Sequence, residues 1–422
     1  MFKENPTLGI LGLGFVGLPL ALAFGRHFKT IGFDISSQRI AELQNGHDRN
    51  QQANPQDFLK ARLLQVTSCP QDLSGVDVFI IAVPTPVDSH NQPDLNMLKN
   101  ASLLAGSHLQ QQGIVIYEST TYPTCTQEFC VPLLEQASHL RYNHDFFVGY
   151  SPERINVGDA RPLSQIVKIT SGSTPESARY INRLYQRVIC QTHPVSSIEV
   201  AESAKILENT QRDLNIAFIN DMAMLLDRLG VNLYEVLEAC QTKWNFMPFI
   251  PGLVGGHCIS IDPYYLSFLA RRVQHDPSLI EASRQINNAM PAFLANKIAK
   301  LLHTHQLPIQ NARVLILGAS FKENCNDLRN SQSLVLQQEL EGLGCRVDIY
   351  DPLIGFEDMQ ALFASTALQS LPQEPTYHVV ILVVAHRCFA DLDLSGVLLD
   401  QGFIYDLKAF LKCAPHLTIY TP

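Results

Sequence analysis

The sequence predicts an α/β protein with two Rossmann-like parallel-sheet domains joined by a long central helix and a helical middle region, and three observations predict it. From residue 7 to about 150, short β-rich runs alternate with helical patterns, the form a parallel sheet takes when helices cross between its strands. The same alternation restarts at residue 313. Between the two, a helix-compatible stretch runs unbroken from Ser196 to Gly230. A chain of 422 residues is too long for one hydrophobic core. Its expected regions are 1–195, 196–304 and 305–422.

In the first region the expected strands are 8–11, 30–34, 78–83, 114–118 and 146–150. Gly12, Gly14 and Gly17 read G-x-G-x-x-G directly after the first strand and at the opening of an alanine-rich helix. The first glycine permits a tight turn, the second lets backbone approach a pyrophosphate, and the third allows close helix packing; the helix N-terminus favours the anion. Asp34 closes the second run 17 residues after Gly17. A carboxylate there accepts hydrogen bonds from a ribose and repels a 2′-phosphate, which favours NAD over NADP. The plain alternative is a glycine-rich turn without cofactor, but it does not explain strand, helix and acid together. Val83-Pro84-Thr85-Pro86 follows the third run and Glu118-Ser119-Thr120 ends the fourth. Ligands of open α/β sheets bind at such strand ends, although prolines and hydroxyls also serve ordinary turns.

In the middle region Ser196 and Glu199 form an S-x-x-E capping box, and Gly230 supplies the C-terminal stop. At 1.5 Å per residue the helix spans roughly 45 to 50 Å, the length of a connector. Leu214, Phe218, Met222, Leu225 and Leu229 recur at three- and four-residue steps, so one face is apolar. A buried core helix and a shared dimer interface both remain open. Lys205 and Asn209 stand at i and i+4, so their side chains leave one face. Aimed at one point in a dry site they stabilise an oxyanion; the ordinary reading of such a pair is a solvated face. The most unusual stretch is Gly252-Leu253-Val254-Gly255-Gly256-His257-Cys258, with Asp262 four residues on. A thiolate attacks aldehydes, and the thiohemiacetal it forms can lose hydride and become a thioester. Taken alone, Cys258 is more simply a buried structural cysteine, Asp262 a cap and His257 a core histidine. The last region has strands expected at 313–317, 346–350, 378–384 and 403–405.

Composition excludes several classes. Lys and Arg number 31 against 40 Asp and Glu, a net charge of -9, so the general field repels polyanions and no nucleic-acid partner is expected. Ten cysteines are scattered without a CxxC pair, which argues for reduced thiols in a cytoplasmic protein and against a disulfide framework or a metal site. The uncharged run at 8–25, with Ala21-Leu22-Ala23, imitates a secretory signal. Lys3 and Glu4 cancel ahead of it and glycines punctuate it, so it is not read as one. No stretch reaches the roughly 18 apolar residues of a membrane span.

Seven segments in order resemble the UDP-glucose/GDP-mannose dehydrogenase family: GLGFVGLPLA at 12, VPTP at 83, ESTTYP at 118, GYSPERIN at 149, AKILENTQRDLNIAFIND at 204, KWNFMPFIPGLVGGHCISIDPYYL at 243 and SFKENCNDLRNSQS at 320. The stretch around Cys258 is most similar to the branch acting on UDP-N-acetylhexosamines for bacterial surface polysaccharides. The resemblance implies a four-electron oxidation of the sugar C6 alcohol to a carboxylate, with two NAD reduced per turnover. It implies Cys258 as nucleophile and Lys205 as oxyanion stabiliser. Asn209 would orient sugar and water, Asp262 would assist water activation, Glu153 would act as base around thioester hydrolysis, and Thr120 would help hold water and nicotinamide.

Cofactor contacts implied in the same way are Gly12, Gly14, Phe15, Val16, Gly17, Asp34, Arg39, Pro84, Thr85, Ser119, Thr120 and Arg329. Substrate contacts are Glu153, Arg154, Lys205, Asn209, Phe249, Gly255 and Lys322. The lysine and arginine of FK-x-N-x-x-D-x-R suit the oxygens of a UDP diphosphate and a dinucleotide pyrophosphate. The last region lacks a second G-x-G-x-x-G, so it is expected to bind the UDP-N-acetylhexosamine, and the protein to be a homodimer or higher homo-oligomer. The chain departs from the family pattern at Val157, at Ile250 where a basic residue is common, and near Thr124 and Ser260, where glycine is usual. Rival readings are a UDP-glucose 6-dehydrogenase, which a substrate panel separates, and a non-catalytic NAD or UDP-sugar sensor, which would bind without forming NADH.

Overall fold

Strands such as LGIL and VFII are buried at every residue, as a parallel sheet covered by helices on both faces requires. The computed structural model describes residues 2–155, 161–412 and 416–422; Asn156 and Val157 of the family motif and Cys413 lie outside them. The chain forms two compact units, Met1–Glu208 with Tyr264–His275, and Asn209–Pro263 with Asp276–Pro422.

The first unit contains β1 (Leu8–Leu11), β2 (Thr30–Phe33), β3 (Leu64–Thr67), β4 (Val78–Ile81), β5 (Gly113–Tyr117) and β6 (Phe146–Tyr150). They form one sheet in the order β3-β2-β1-β4-β5-β6, parallel throughout. The order reverses between β1 and β4, and the loops after these two strands diverge at the switch point where open sheets bind ligands. The expected strands at 30–34, 78–83 and 114–118 end one or two residues early, because their last residues leave the ladder to form those loops. β3 was not anticipated: it is a short edge strand, LQVT, only partly buried. A separate parallel pair joins β7 (Lys168–Thr170) to β8 (Thr192–Pro194).

The second unit holds β9 (Arg313–Leu317), β10 (Arg346–Tyr350), β11 (Tyr377–Leu382), β12 (Leu398–Asp406) and β13 (Ile419–Tyr420). Their order is β10-β9-β11-β12-β13, again parallel. Helix Ser278–Thr304 packs Met290, Leu294 and Ile298 into the same core as Val314 and Ile316.

The long helix is Ile198–Leu229, 32 residues and about 48 Å at the standard rise. Its cap differs from the expected box. Ser197, not Ser196, accepts the N–H of Val200 at 3.3 Å, because the helix begins one residue later, and Glu199 is held below the usual carboxylate range chiefly by its hydrogen bond with Ser197. At the other end Gly230 has φ +68, the N–H of Val231 reaches the carbonyl of Leu226 and that of Gly230 reaches Asp227. This paired closure suits glycine in the left-handed region. Phe218 and Leu229 of the apolar stripe are 58% and 65% exposed, whereas Ile219 and Ala223 enter the core. Phe218, Leu225 and Leu229 of the stripe face outward, Met222 packs partly against the core, and a neighbouring face is the buried one. Trp244, the one tryptophan of the chain, is 92% exposed, beside the exposed Met247 and Ile250. Among the described residues no helix is long and apolar enough to cross a membrane.

Beneath the sheet of the first unit, Lys168 donates to Glu118 Oε2 at 2.6 Å and to the carbonyls of Ser151 and Pro152 at 3.3 and 3.0 Å. Tyr185 donates to the other Glu118 oxygen. All three side chains are buried, and burial pushes the Glu118 carboxyl up while Lys168 opposes it. Removing one partner of a buried pair strands the other. Lys168→Met is therefore expected to cost about 3 kcal/mol in urea unfolding, and adding Glu118→Gln to recover at least half of that loss.

Candidate active site

In the first unit β1 delivers the chain into Gly12, which turns at φ +91. A Cβ there would meet the carbonyl of Ala82 at 2.7 Å, and one on Gly17 would lie 1.8 Å from the carbonyl of Gly12. The fold itself demands both glycines. A Cβ on Gly14 would meet nothing within 4 Å. The second glycine thus keeps open a space that the chain does not fill, at the N-terminus of helix Gly17–Phe24, with Phe15 beside it and Val16 as N-cap. The residues fit a dinucleotide pyrophosphate.

Asp34 holds the turn from the neighbouring strand: Oδ2 accepts the N–H of Leu13 and Oδ1 that of Ser36, both at 2.9 Å. Arg39 is buried behind it, donating to the Leu13 carbonyl at 3.1 Å and to Asp48 at 2.7 Å. The loops that follow β4 and β5 are tied together, since Ser119 donates to the carbonyl of Val83 at 2.7 Å. Thr85, next to Pro84, and Pro86 accept from the buried hydroxyl of Tyr265 at 3.0 and 3.1 Å. Thr120 stands half-buried at the end of the same loop.

Lys205 is 5% exposed and donates to the carbonyl of Glu153 at 2.7 Å and to its Oε2 at 3.3 Å. Arg154 turns away to a two-pronged pair with Glu208 at 2.7 and 3.2 Å. The structure thus brings Lys205 and Glu153 together and engages Arg154 elsewhere.

In the second unit Cys258 is half-buried. Its carbonyl accepts the N–H groups of Ile261 and Asp262 at 3.0 and 2.8 Å, a turn that leads into helix Asp262–Arg272. Asp262 accepts from the Asn209 amide at 2.6 Å, and the Asn209 oxygen accepts from Arg212 at 2.9 Å. This pair of contacts fixes the orientation of the amide. Asn209 is 7% exposed, so a solvated face describes neither it nor Lys205.

The glycine tract is explained by packing. A Cβ on Gly255 would lie 2.5 Å from the carbonyl of Asn330, and one on Gly256, at φ +84, 2.6 Å from the ring of Phe321. Asn220 both accepts from and donates to the peptide of Gly252 at 2.9 Å. Phe249 packs against the core of this unit. His257 stands edge-on to Phe321 and beside Arg329, and Arg329 is held by Asp327. The loop carrying Lys322 is pinned from below: Asp351 accepts the N–H groups of Ala319 and Ser320 at 2.9 and 3.0 Å and meets His386 at 2.9 Å. His386 Nδ1 accepts the N–H of Asn324, which places its proton on Nε2. Among the described residues no group of three or more His, Cys, Asp or Glu side chains could hold a metal ion.

Several residues that shape these loops escaped the sequence reading: Glu202, Lys168, Arg212, Asp351 and His386. Glu202 stands three residues before Lys205, as Asn209 stands four after it, so all three lie on one face of the helix, a spacing that would have found the first.

The chain matches three domains of the UDP-glucose/GDP-mannose dehydrogenase family: the NAD binding domain over residues 7–189, the central domain over 199–289 and the UDP binding domain over 315–413. It is 46% identical over 413 residues to the UDP-N-acetyl-D-glucosamine 6-dehydrogenase of Pseudomonas aeruginosa, covering 97% of this chain and 98% of that one. With the Salmonella typhi enzyme of the same name it is 42% identical, covering 97% of each. Among solved structures it is similar to the UDP-D-ManNAc dehydrogenase of Pyrococcus horikoshii, with a TM-score of 0.86, 28% identity and 98% of each chain covered.

The contrast between the glycines is testable. Gly14→Ala is expected to leave the melting temperature within about 2 °C of the parent, since its Cβ meets no neighbour, while weakening NAD binding at least ten-fold in calorimetric titration. Gly17→Ala, whose Cβ collides with a carbonyl, is expected to lower both.

Proposed function

The chain belongs to the UDP-glucose/GDP-mannose dehydrogenase family, and from that premise we propose that it oxidises the C6 alcohol of a UDP-N-acetylhexosamine to the uronic acid, a step toward surface polysaccharide. The observation that carries this reading is the half-buried Cys258 at the head of a helix whose first residue, Asp262, is hydrogen-bonded to an oriented Asn209. The names of the relatives in Pseudomonas aeruginosa and Salmonella typhi support UDP-N-acetylglucosamine as the first substrate to try.

NAD supplies a hydride acceptor for each of two oxidations. The glycine turn with Phe15 and Val16, Asp34, and the loops of Pro84, Thr85, Ser119 and Thr120 hold it; Arg39 and Arg329 belong to the same set, the former from behind the turn. The first oxidation gives an aldehyde. The Cys258 sulfur then bonds to the aldehyde carbon, and the carbonyl electron pair moves onto oxygen, where the Lys205 ammonium offsets the charge. Loss of hydride from that carbon restores the C=O bond as a thioester. Water, oriented by Asn209 and relieved of a proton by Asp262 or Glu153, adds to the thioester, and the C–S bond breaks to return the thiol. One alcohol, one water and two NAD thus become one acid and two NADH, with protons released to solvent. Arg154, Phe249 and Gly255 shape the substrate side, and Lys322 offers a point charge to the diphosphate.

The proposed regions are 1–195 for the dinucleotide, 196–304 for dimerisation and catalysis, and 305–422 for the UDP-sugar. Among the described residues no two cysteines are joined in a disulfide, which supports a cytoplasmic setting. The outward stripe of Phe218, Leu225 and Leu229 supports a homodimer, since an apolar row on a helix is the ordinary means of pairing two chains.

The decisive measurement is NADH formed per sugar consumed across UDP-N-acetylglucosamine, UDP-N-acetylgalactosamine and UDP-glucose. Two NADH per N-acetylated sugar is expected, and a clear preference for UDP-glucose would overturn the substrate assignment. Cys258→Ser is expected to stop acid release while NAD binding persists, because an oxygen ester is a poorer leaving group; acid at the parent rate would make Cys258 structural. Phe218→Glu with Leu229→Glu is expected to shift the sedimenting species from dimer to monomer.

A further inference from the structure

Glu202 lies on the long helix three residues before Lys205 and is fully buried. Its carboxylate accepts four hydrogen bonds from one short loop: from the Thr121 hydroxyl at 3.1 Å, the N–H of Thr124 at 2.7 Å, and the N–H and hydroxyl of Thr126 at 2.9 and 2.6 Å. That loop begins where Ser119 and Thr120 end. Within it Thr124 has φ +82, in the left-handed region that a β-branched residue rarely enters. The carbonyl of Thr124 accepts from Gln127 and Glu128 as the chain enters the π-helical turn Thr126–Cys130. The strained residue is therefore gripped on both sides.

We propose that Glu202 is a positioning residue for the cofactor loop: its carboxylate holds Thr124 in a conformation that threonine does not adopt unaided, and so sets where Ser119 and Thr120 stand. The cost of keeping this acid is visible. Burial pushes its carboxyl up to about 7 although the threonine donors oppose the shift, and the Cys125 thiol lies near enough to feel its charge. A side chain serving only to fill space would not need an oxygen against each donor. Backbone strain of this kind persists only where the surroundings over-determine it, and here the four bonds do so.

The assignment rests on Ser119 and Thr120 serving NAD, and its test reads NAD binding as well as turnover. Glu202→Gln replaces one acceptor oxygen with an NH2 that faces N–H donors. It is expected to raise the NAD Kd at least five-fold and lower kcat at least ten-fold, with KM for the UDP-sugar within two-fold of the parent. Thr124→Gly, which takes positive φ without help, is expected to leave Kd and kcat unchanged alone and to bring the double variant within three-fold of the parent in both. A loss of melting temperature with Kd and kcat intact, or a double variant no better than Glu202→Gln, would overturn the proposal. Should Glu202→Gln fail to fold, the double variant decides by itself: NAD binding within three-fold of the parent supports the role, and insolubility or lost binding refutes it. A parent that binds NAD but reduces none with any UDP-sugar would refute the substrate reading instead, leaving Glu202 to be judged on Kd.

Discussion

A polar side chain buried along a helix has to find a partner, because the helix backbone offers it none and solvent cannot reach it. Of the six buried polar residues on the long helix, Thr210 aside, five, Glu202, Lys205, Asn209, Asp213 and Asn220, are spaced by a three, two fours and a seven, so that they share one face. Each is answered by a different segment. Glu202 takes the threonine loop, Lys205 takes Glu153, and Asn209 takes Asp262. Asp213 takes Arg284, Ser283 and Asn287, and Asn220 takes the peptide of Gly252. Within each unit, the loops that carry the proposed site residues are thereby hydrogen-bonded to the helix, and a row that looks like solvated surface by letter is what ties them down.

This explains which parts of the molecule could be read from the chain. The glycine turn, the strands of pure aliphatic residues and the glycine stop of the long helix are local matters, governed by neighbours within a few positions, and they stand within one or two residues of where the pattern put them. β3 and β13 are edge strands, partly polar or two residues long, and carry too little hydrophobic pattern to register. The cap moved from Ser196 to Ser197 because two adjacent serines compete and only the helix start decides between them. Glu202 and Lys168 stayed hidden for a different reason. Their partners are backbone groups and side chains far along the chain, in some cases fifty or more residues away, and no periodicity encodes such a pairing.

The glycines divide along the same line. Gly12 and Gly17 are required by the path of the backbone, and Gly255 and Gly256 by the approach of Asn330 and Phe321. Gly14 alone among these five meets no neighbour, so packing within the chain does not account for its lack of a side chain. The outward apolar stripe of the helix poses the same question of the protein's own surface. The folded chain leaves Phe218 and Leu229 largely uncovered while burying Ala217 and Ile219 on either side of the first.

The solitary indole of Trp244 has a practical consequence. It projects almost wholly into water from the segment that leads to the cysteine loop, and there is no second tryptophan anywhere in the chain to dilute its signal. Intrinsic fluorescence excited at the red edge of protein absorption is therefore a single-site reading: the protein arrives already labelled in the segment that runs up to the cysteine loop.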